Sequence, residues 1–311
     1  MKKVKLLLMI AVAGGLLFTT SCAKDGATGL DGAKGTDGTN GTNGTNGSNV
    51  TAADQAAYDA ANGINGARMY DHPLNYIGAN QTTYPNTYTN FYRCKSCHGW
   101  DLLGKNGVLI NKTPSATYPV AADGNLYSWA KQHDIKQLFD AVKNTGGREK
   151  IVLGNDKSYN STHPDYGLIL TDAQIWDCVK FLKETAHNVN EFYDLNTAGV
   201  YPTGTKTFAN IGKGGNAANG SAVYTSNCAG CHGTDGKSID IYCKGLFLGE
   251  MFRQDPHEIQ HKAIWGMPID RENMDAGCAV PFGGAMPAIA ITDQDIRDMM
   301  VMGQDTVLFP N

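Results

Sequence analysis

The pattern Cys-x-x-Cys-His occurs twice, as Cys94-Lys95-Ser96-Cys97-His98 and as Cys228-Ala229-Gly230-Cys231-His232. The spacing sets two thiols on one short turn with an imidazole directly after them. Thiols so placed reach the two vinyl groups on one edge of a haem, and the histidine turns onto the iron; the pattern reads as covalent c-type haem attachment. A single copy also fits a thiol–disulfide redox pair or half of a zinc site. Two copies, each followed by a glycine (Gly99, Gly233), in a chain with an export signal point to haem. Two covalently bound haem c groups are expected, attached at Cys94, Cys97, Cys228 and Cys231, with His98 and His232 on the iron. A porphyrin fills much of a small core, so each such domain needs little regular structure of its own.

The length of 311 residues allows one large domain or two ordinary ones. A formal net charge of −4 gives no electrostatic reason for a nucleic-acid partner, and none is expected. At 18 % charged residues the composition is not that of a disordered chain. Lys2, Lys3 and Lys5 precede an uncharged run from Leu6 to Phe18, the basic and apolar parts of a secretory signal. The run is too short to read as a spanning helix. It ends in Thr19-Thr20-Ser21-Cys22, which resembles a bacterial lipoprotein cleavage box, with Thr19 where leucine is usual. A signal peptide over 1–21 and lipidation of Cys22 are expected; an ordinary cleaved signal is the alternative. Either way the chain leaves the cytoplasm and disulfides are permitted. Ala23 after the cysteine, by resemblance to lipoprotein sorting, implies an outer-membrane lipoprotein facing the periplasm or the cell surface.

From Gly26 to Gly47 every third residue is glycine. This stretch resembles a collagen-like segment, where only glycine fits at the triple-helix axis. It lacks proline, so a flexible polar spacer is the plainer reading of the lipid-anchored stalk over 22–50. The anchor would tether the chain to a membrane, and the stalk offers a route to an oligomer.

Asn219-Gly220-Ser221-Ala222-Val223-Tyr224 leads into Cys228, and Met286-Pro287 precedes Thr292-Asp293-Gln294-Asp295-Ile296. These stretches resemble the small helical cytochrome c domain, in which an aromatic N-terminal helix packs on a C-terminal helix. The resemblance covers residues 60–305 in two copies; Arg93–Asp101 of the first is similar to a subgroup of multihaem respiratory cytochromes. It implies a mostly α fold of two tandem haem domains with long loops: the first at 51–191, a linker at 192–215, the second at 216–311.

The sixth iron ligand sets much of the potential, methionine raising it relative to a second histidine. Met286-Pro287 stands just before the helix cap at Thr292, and His163-Pro164 stands just before the Thr171-x-x-Gln174 capping box. Ile175 then matches Ile296, and Val179 matches Met300. The pairs His98/His163 and His232/Met286 follow. Met267-Pro268 is the rival in the second half; His72, His133 and Met69 are the rivals in the first. His187, His257 and His261 read as solvated or structural, with a haem-propionate contact open for His261. Cys243 and Cys278 both lie between His232 and Met286, where a disulfide would pin the loop that presents the methionine. Cys178 shares a helix face with Ile175, Val179 and Leu182 and reads as a small core side chain; a thiolate ligand, as in thiosulfate dehydrogenases, is the sharper alternative.

Helical patterns run over Ala52–Ala61, Ile135–Lys143, Thr171–Thr185, Gly220–Ser226, Pro256–Ile264 and Thr292–Met302. The function expected is electron carriage in a respiratory or extracellular chain outside the cytoplasm, with redox proteins as partners. The alternative is a dihaem oxidoreductase such as a cytochrome c peroxidase or thiosulfate dehydrogenase, so catalysis stays open. The Arg-Ser-Pro-like segment of the peroxidases is missing from the sequence. A surface stalk that merely carries haems is motivated by the glycine repeat alone.

Overall fold

Asparagine and threonine caps decide where the principal helices begin. The computed structural model describes residues 50–73, 92–115, 118–144, 163–164, 166–168, 170–241, 244–267 and 286–311. In chain order its helices are α1 (Ala52–Ala60), α2 (Gly63–Asp71), α3 (Cys94–His98), α4 (Leu126–Gln132), α5 (Ile135–Lys143), α6 (Asp172–Lys180), α7 (Ala217–Asn227), α8 (Ala229–His232), α9 (Leu248–Gln254), α10 (Pro256–Trp265) and α11 (Asp293–Met302), joined by short 3-10 and π turns. Asn62 opens α2 and Asn216 opens α7, each side-chain oxygen accepting from two amides of the first turn. Thr171 opens α6 and Thr292 opens α11, both as complete capping boxes. These caps satisfy amides that have no partner inside the helix.

The two halves are built on one frame. In the first, α2 crosses α6 at Gly66, where an added Cβ would stand 2.0 Å from the Asp177 carbonyl oxygen. In the second, α7 crosses α11 at Gly220, where it would stand 2.2 Å from the Asp298 carbonyl oxygen. Only glycine lets the backbones approach so closely. Asn62 N–H donates to the Asp177 carboxylate at 2.6 Å, and Asn216 N–H to that of Asp298 at 2.7 Å. Tyr70 and Tyr224 then each tie the crossing to a motif: their hydroxyls donate to the carbonyls of Gly99 and Gly233 at 2.5 and 2.7 Å. Both glycines hold positive φ, +73° and +80°, which explains a glycine directly after each histidine.

The apolar faces of these helices make two principal cores. Leu138, Ile175, Val179 and Phe181 fill the first, and Phe252, Ile296, Met299, Met300 and Phe309 fill the second. Trp265, from the second half of the sequence, belongs to the first core, and Ile264 packs against both. The helix expected over Thr171–Thr185 is α6 continued by a π turn over Phe181–Thr185. The segment expected as a linker is a folded element. β1 (Asp194–Ala198) pairs antiparallel with β2 (Thr205–Ala209), and Phe192 and Tyr193 ahead of it are fully buried. The hairpin packs on a third, small cluster of Val108, Leu109 and Ala121. Its Tyr201 hydroxyl accepts from the Ala121 amide at 3.0 Å.

Among the described residues no helix is long and apolar enough to cross a membrane. The signal peptide, Cys22, all of the stalk but Val50, Cys243 and Cys278 lie outside the described residues.

Candidate functional site

The first motif forms the single-turn helix α3, and its back is closely covered. Arg93, Lys95 and Ser96 are buried, and the Arg93 guanidinium pairs with the buried Asp71 carboxylate at the end of α2. Burial pushes the Cys94 thiol up to about 11 and the Cys97 thiol up to about 12. Thiolate chemistry, whether redox exchange or zinc binding, needs the opposite shift. An uncharged thioether suits such surroundings. His98 is pulled down to about 4 by burial, which keeps its imidazole neutral and able to ligate.

Across from His98 stands His163, with ring centroids 6.5 Å apart and planes at 53°. Two imidazoles sharing one metal at ~2 Å per nitrogen would have centroids roughly 6 Å apart, so the gap fits a single iron. The His163 Nδ1 lies 2.9 Å from the Pro164 carbonyl, and donation there would make Nε2 the nitrogen able to ligate a metal. Asn144, the left-handed residue that ends α5, donates to the His163 carbonyl at 3.2 Å. Tyr166 donates to the Tyr92 carbonyl at 2.6 Å, and its oxygen lies 3.6 Å from Cys94 Sγ. His133 stacks on Trp129, with its Nδ1 at the Trp129 carbonyl. Met69 is inside the first core, and His72 lies beside Asp71. Cys178 is buried in the same core, its thiol pushed well up by desolvation, as a core side chain would be.

The second motif is more open. Cys231 is exposed and His232 half-buried, with desolvation again lowering the imidazole. Burial raises the Cys228 thiol to about 11. Met286 and Met267 meet as an isolated antiparallel bridge, exchanging two hydrogen bonds of 2.8 Å. Residues directly opposite in such a pair project their side chains to the same side. The two rival methionines thus occupy one place in the fold.

Of the residues that join the halves, the sequence singles out His261, for a haem-propionate contact, but not Arg68. Arg68 on α2 donates to the carbonyls of Trp265 and Met286, at 2.9 and 3.1 Å, so the first half holds the backbone of the methionine bridge. His261 on α10 is fully buried, 3.8 Å from the Trp100 ring centroid, with Nε2 3.2 Å from the Ala67 carbonyl. Gln260 donates to the Trp100 carbonyl at 3.1 Å, and Trp265 meets the Phe181 ring edge-on. His187 stacks on Trp265 and faces the Asp293 carboxylate at 3.3 Å. The signal available was aromatic content: Trp100 stands two residues after His98, and Trp265 closes α10.

The cytochrome c family profile matches this chain over residues 87–186 and again over 217–301, enclosing one motif each time. The chain belongs to the cytochrome c family. Comparison with curated proteins and with solved structures finds no match. The cytochrome is mostly helical, and membership implies covalently bound haem c and electron carriage. The first matched segment of the cytochrome contains one motif and α6 but not α2; the second contains one motif, α7 and α11 up to residue 301.

Proposed function

We propose that this cytochrome is a dihaem electron carrier with two unlike iron sites, His98/His163 and His232/Met286. Haem supplies the one-electron Fe(III)/Fe(II) couple, and the chain supplies the ligands and the spacing. The observation that carries the reading is the His98–His163 ring pair in the first half; in the second, the place of Met286 ahead of the Thr292 cap supports it. A methionine ligand raises a haem potential relative to a second histidine, so the second haem is the higher and transfer between them has a direction. The Trp100, His261 and Trp265 rings fill the join between the halves.

Export and lipidation at Cys22 place the carrier at the outer membrane, facing the periplasm or the surface, with the glycine-ruled stalk as its tether. The sequence of the first 50 residues supports this reading. Its partners are then redox proteins that feed and drain the pair, and an oligomer through the stalk is open. Low-temperature electron paramagnetic resonance of the oxidised protein tests the ligand sets. Two distinct low-spin signals, of His/His and His/Met type, are expected, together with two resolved waves in a redox titration. A single signal type or two equal potentials would overturn the proposal.

A further inference from the structure

Behind the first motif, where the 95–118 segment, β2 and α10 come together, lies a cavity of about 150 Å³. It is far from the size of a drug-like ligand site, roughly 300–1,000 Å³. Lys95 and Lys112 reach it from the 95–118 segment and Lys206 from β2, and Trp100, His257 and Glu258 stand on its wall. Trp100 and His257 are each 6 % exposed, and the Trp100 Nε1 and His257 Nδ1 have no hydrogen-bond partner among the described residues. An indole N–H can only donate, so it is satisfied only by an acceptor. Leaving such groups buried and unmade is costly.

The charges point the same way. Lys206 Nζ donates once, to the Val108 carbonyl at 2.8 Å, and has further N–H groups to give. Burial lowers the Lys206 ammonium, and the carboxylates of Asp255, Asp101 and Glu258 offset part of that cost. Lys112 Nζ lies 4.3 Å over the Tyr118 ring, and Lys95 Nζ lies 4.3 Å over Trp100 and 3.6 Å from Asp71. Glu258 is the carboxylate on the wall, and it faces Lys262 Nζ at 2.9 Å. His257 Nε2 is 3.8 Å from Asp255. Water would satisfy the donors but not the surplus of positive charge.

We propose that this cavity binds one small inorganic oxyanion of the sulfate or phosphate class. Lys95 stands inside the first motif, between Cys94 and Cys97. An anion held beside it favours the more positive, oxidised iron, and by linkage the oxidised protein binds the anion more tightly. That coupling rests on haem at His98; the binding itself does not.

The test is calorimetric titration of the haem-loaded protein with sodium sulfate in a buffer free of other oxyanions. One saturable site per chain is expected. Lys206→Met and the exposed Lys112→Gln should each weaken it about tenfold or more, the worth of a charge-assisted hydrogen bond, with an unchanged Soret spectrum. No saturable binding, as when a haem propionate already fills the space, overturns the proposal. So does equal affinity in both variants. The redox arm compares the lower potential with and without sulfate. A fall in the native protein that Lys206→Met abolishes supports coupling; no change overturns the coupling and leaves calorimetry to decide the site.

Discussion

Around the first motif Arg93, Lys95 and Ser96 are buried; along Ala229–His232 no residue is. Yet the supports beneath are the same: Asn62, Gly66 and Tyr70 recur as Asn216, Gly220 and Tyr224, and Asp177 recurs as Asp298. Asp71 at the end of α2 covers Arg93, and Trp100 covers Lys95; α10 adds to this layer. It leaves the second half and lays His261 and Trp265 against the first, where Arg68 reaches back to the Met286 carbonyl. One frame can therefore serve two different haem environments, because the covering layer rather than the frame decides burial.

Removing the attachment sites should break the symmetry most. Cys94→Ala with Cys97→Ala deprives the larger buried core of its haem, and the described unit is expected to lose cooperative folding. Cys228→Ala with Cys231→Ala should leave the first haem spectrum intact and the mass short of one porphyrin. Intact mass and Soret-monitored melting check both. Equal damage would mean that the covering layer does not matter.

Gly66→Ala and Gly220→Ala test the shared frame. Each new methyl meets a backbone carbonyl at 2.0 or 2.2 Å. Losses of about 3 kcal/mol or more are expected in both, the upper range for overpacking. Denaturant unfolding reads the result, and a mild effect at either site would show that the two crossings are not equivalent.

Changing the ligands sharpens the contrast without removing the haems. His163→Met should raise the lower potential towards the higher one and convert the first low-spin signal to a His/Met type. Met267→Leu should leave the second haem's signal in place, whereas Met286→Leu should abolish it. Arg68→Ala is a smaller perturbation. With its two carbonyl bonds gone, the methionine bridge loosens, and the sulfur-to-iron charge-transfer band should weaken while the first haem's signal is unchanged.

The smallest expected effect is in pH dependence. The His187 hydrogen bond holds the Asp293 carboxyl below its ordinary range. A carboxylate so depressed stabilises the fold above its unfolded pKa, near 4, and this is lost as pH falls through the folded value. The pair is partly exposed, so Asp293→Asn should flatten the acid limb of the stability profile by under ~1 kcal/mol.

Much of the candidate site was legible because haem attachment is local. The motif needs five consecutive residues, and the caps expected after the proposed ligands His163 and Met286, at Thr171 and Thr292, open α6 and α11. The helix α2 was not anticipated, although Asn65-Gly66-Ala67-Arg68-Met69-Tyr70 parallels Asn219-Gly220-Ser221-Ala222-Val223-Tyr224. A longer stretch separates Tyr70 from Cys94 than separates Tyr224 from Cys228, and this hid the repeat. The hairpin at 194–209 was hidden by its polar, turn-rich composition, which is equally that of a linker.

By itself, then, the sequence determined the cofactor chemistry and the helix caps, since each depends on spacings of a few residues. The tertiary structure alone decided which side chains cover the first motif, what holds the methionine bridge and where the basic cavity forms. Those contacts join residues far apart in the chain, and no local periodicity or spacing records them.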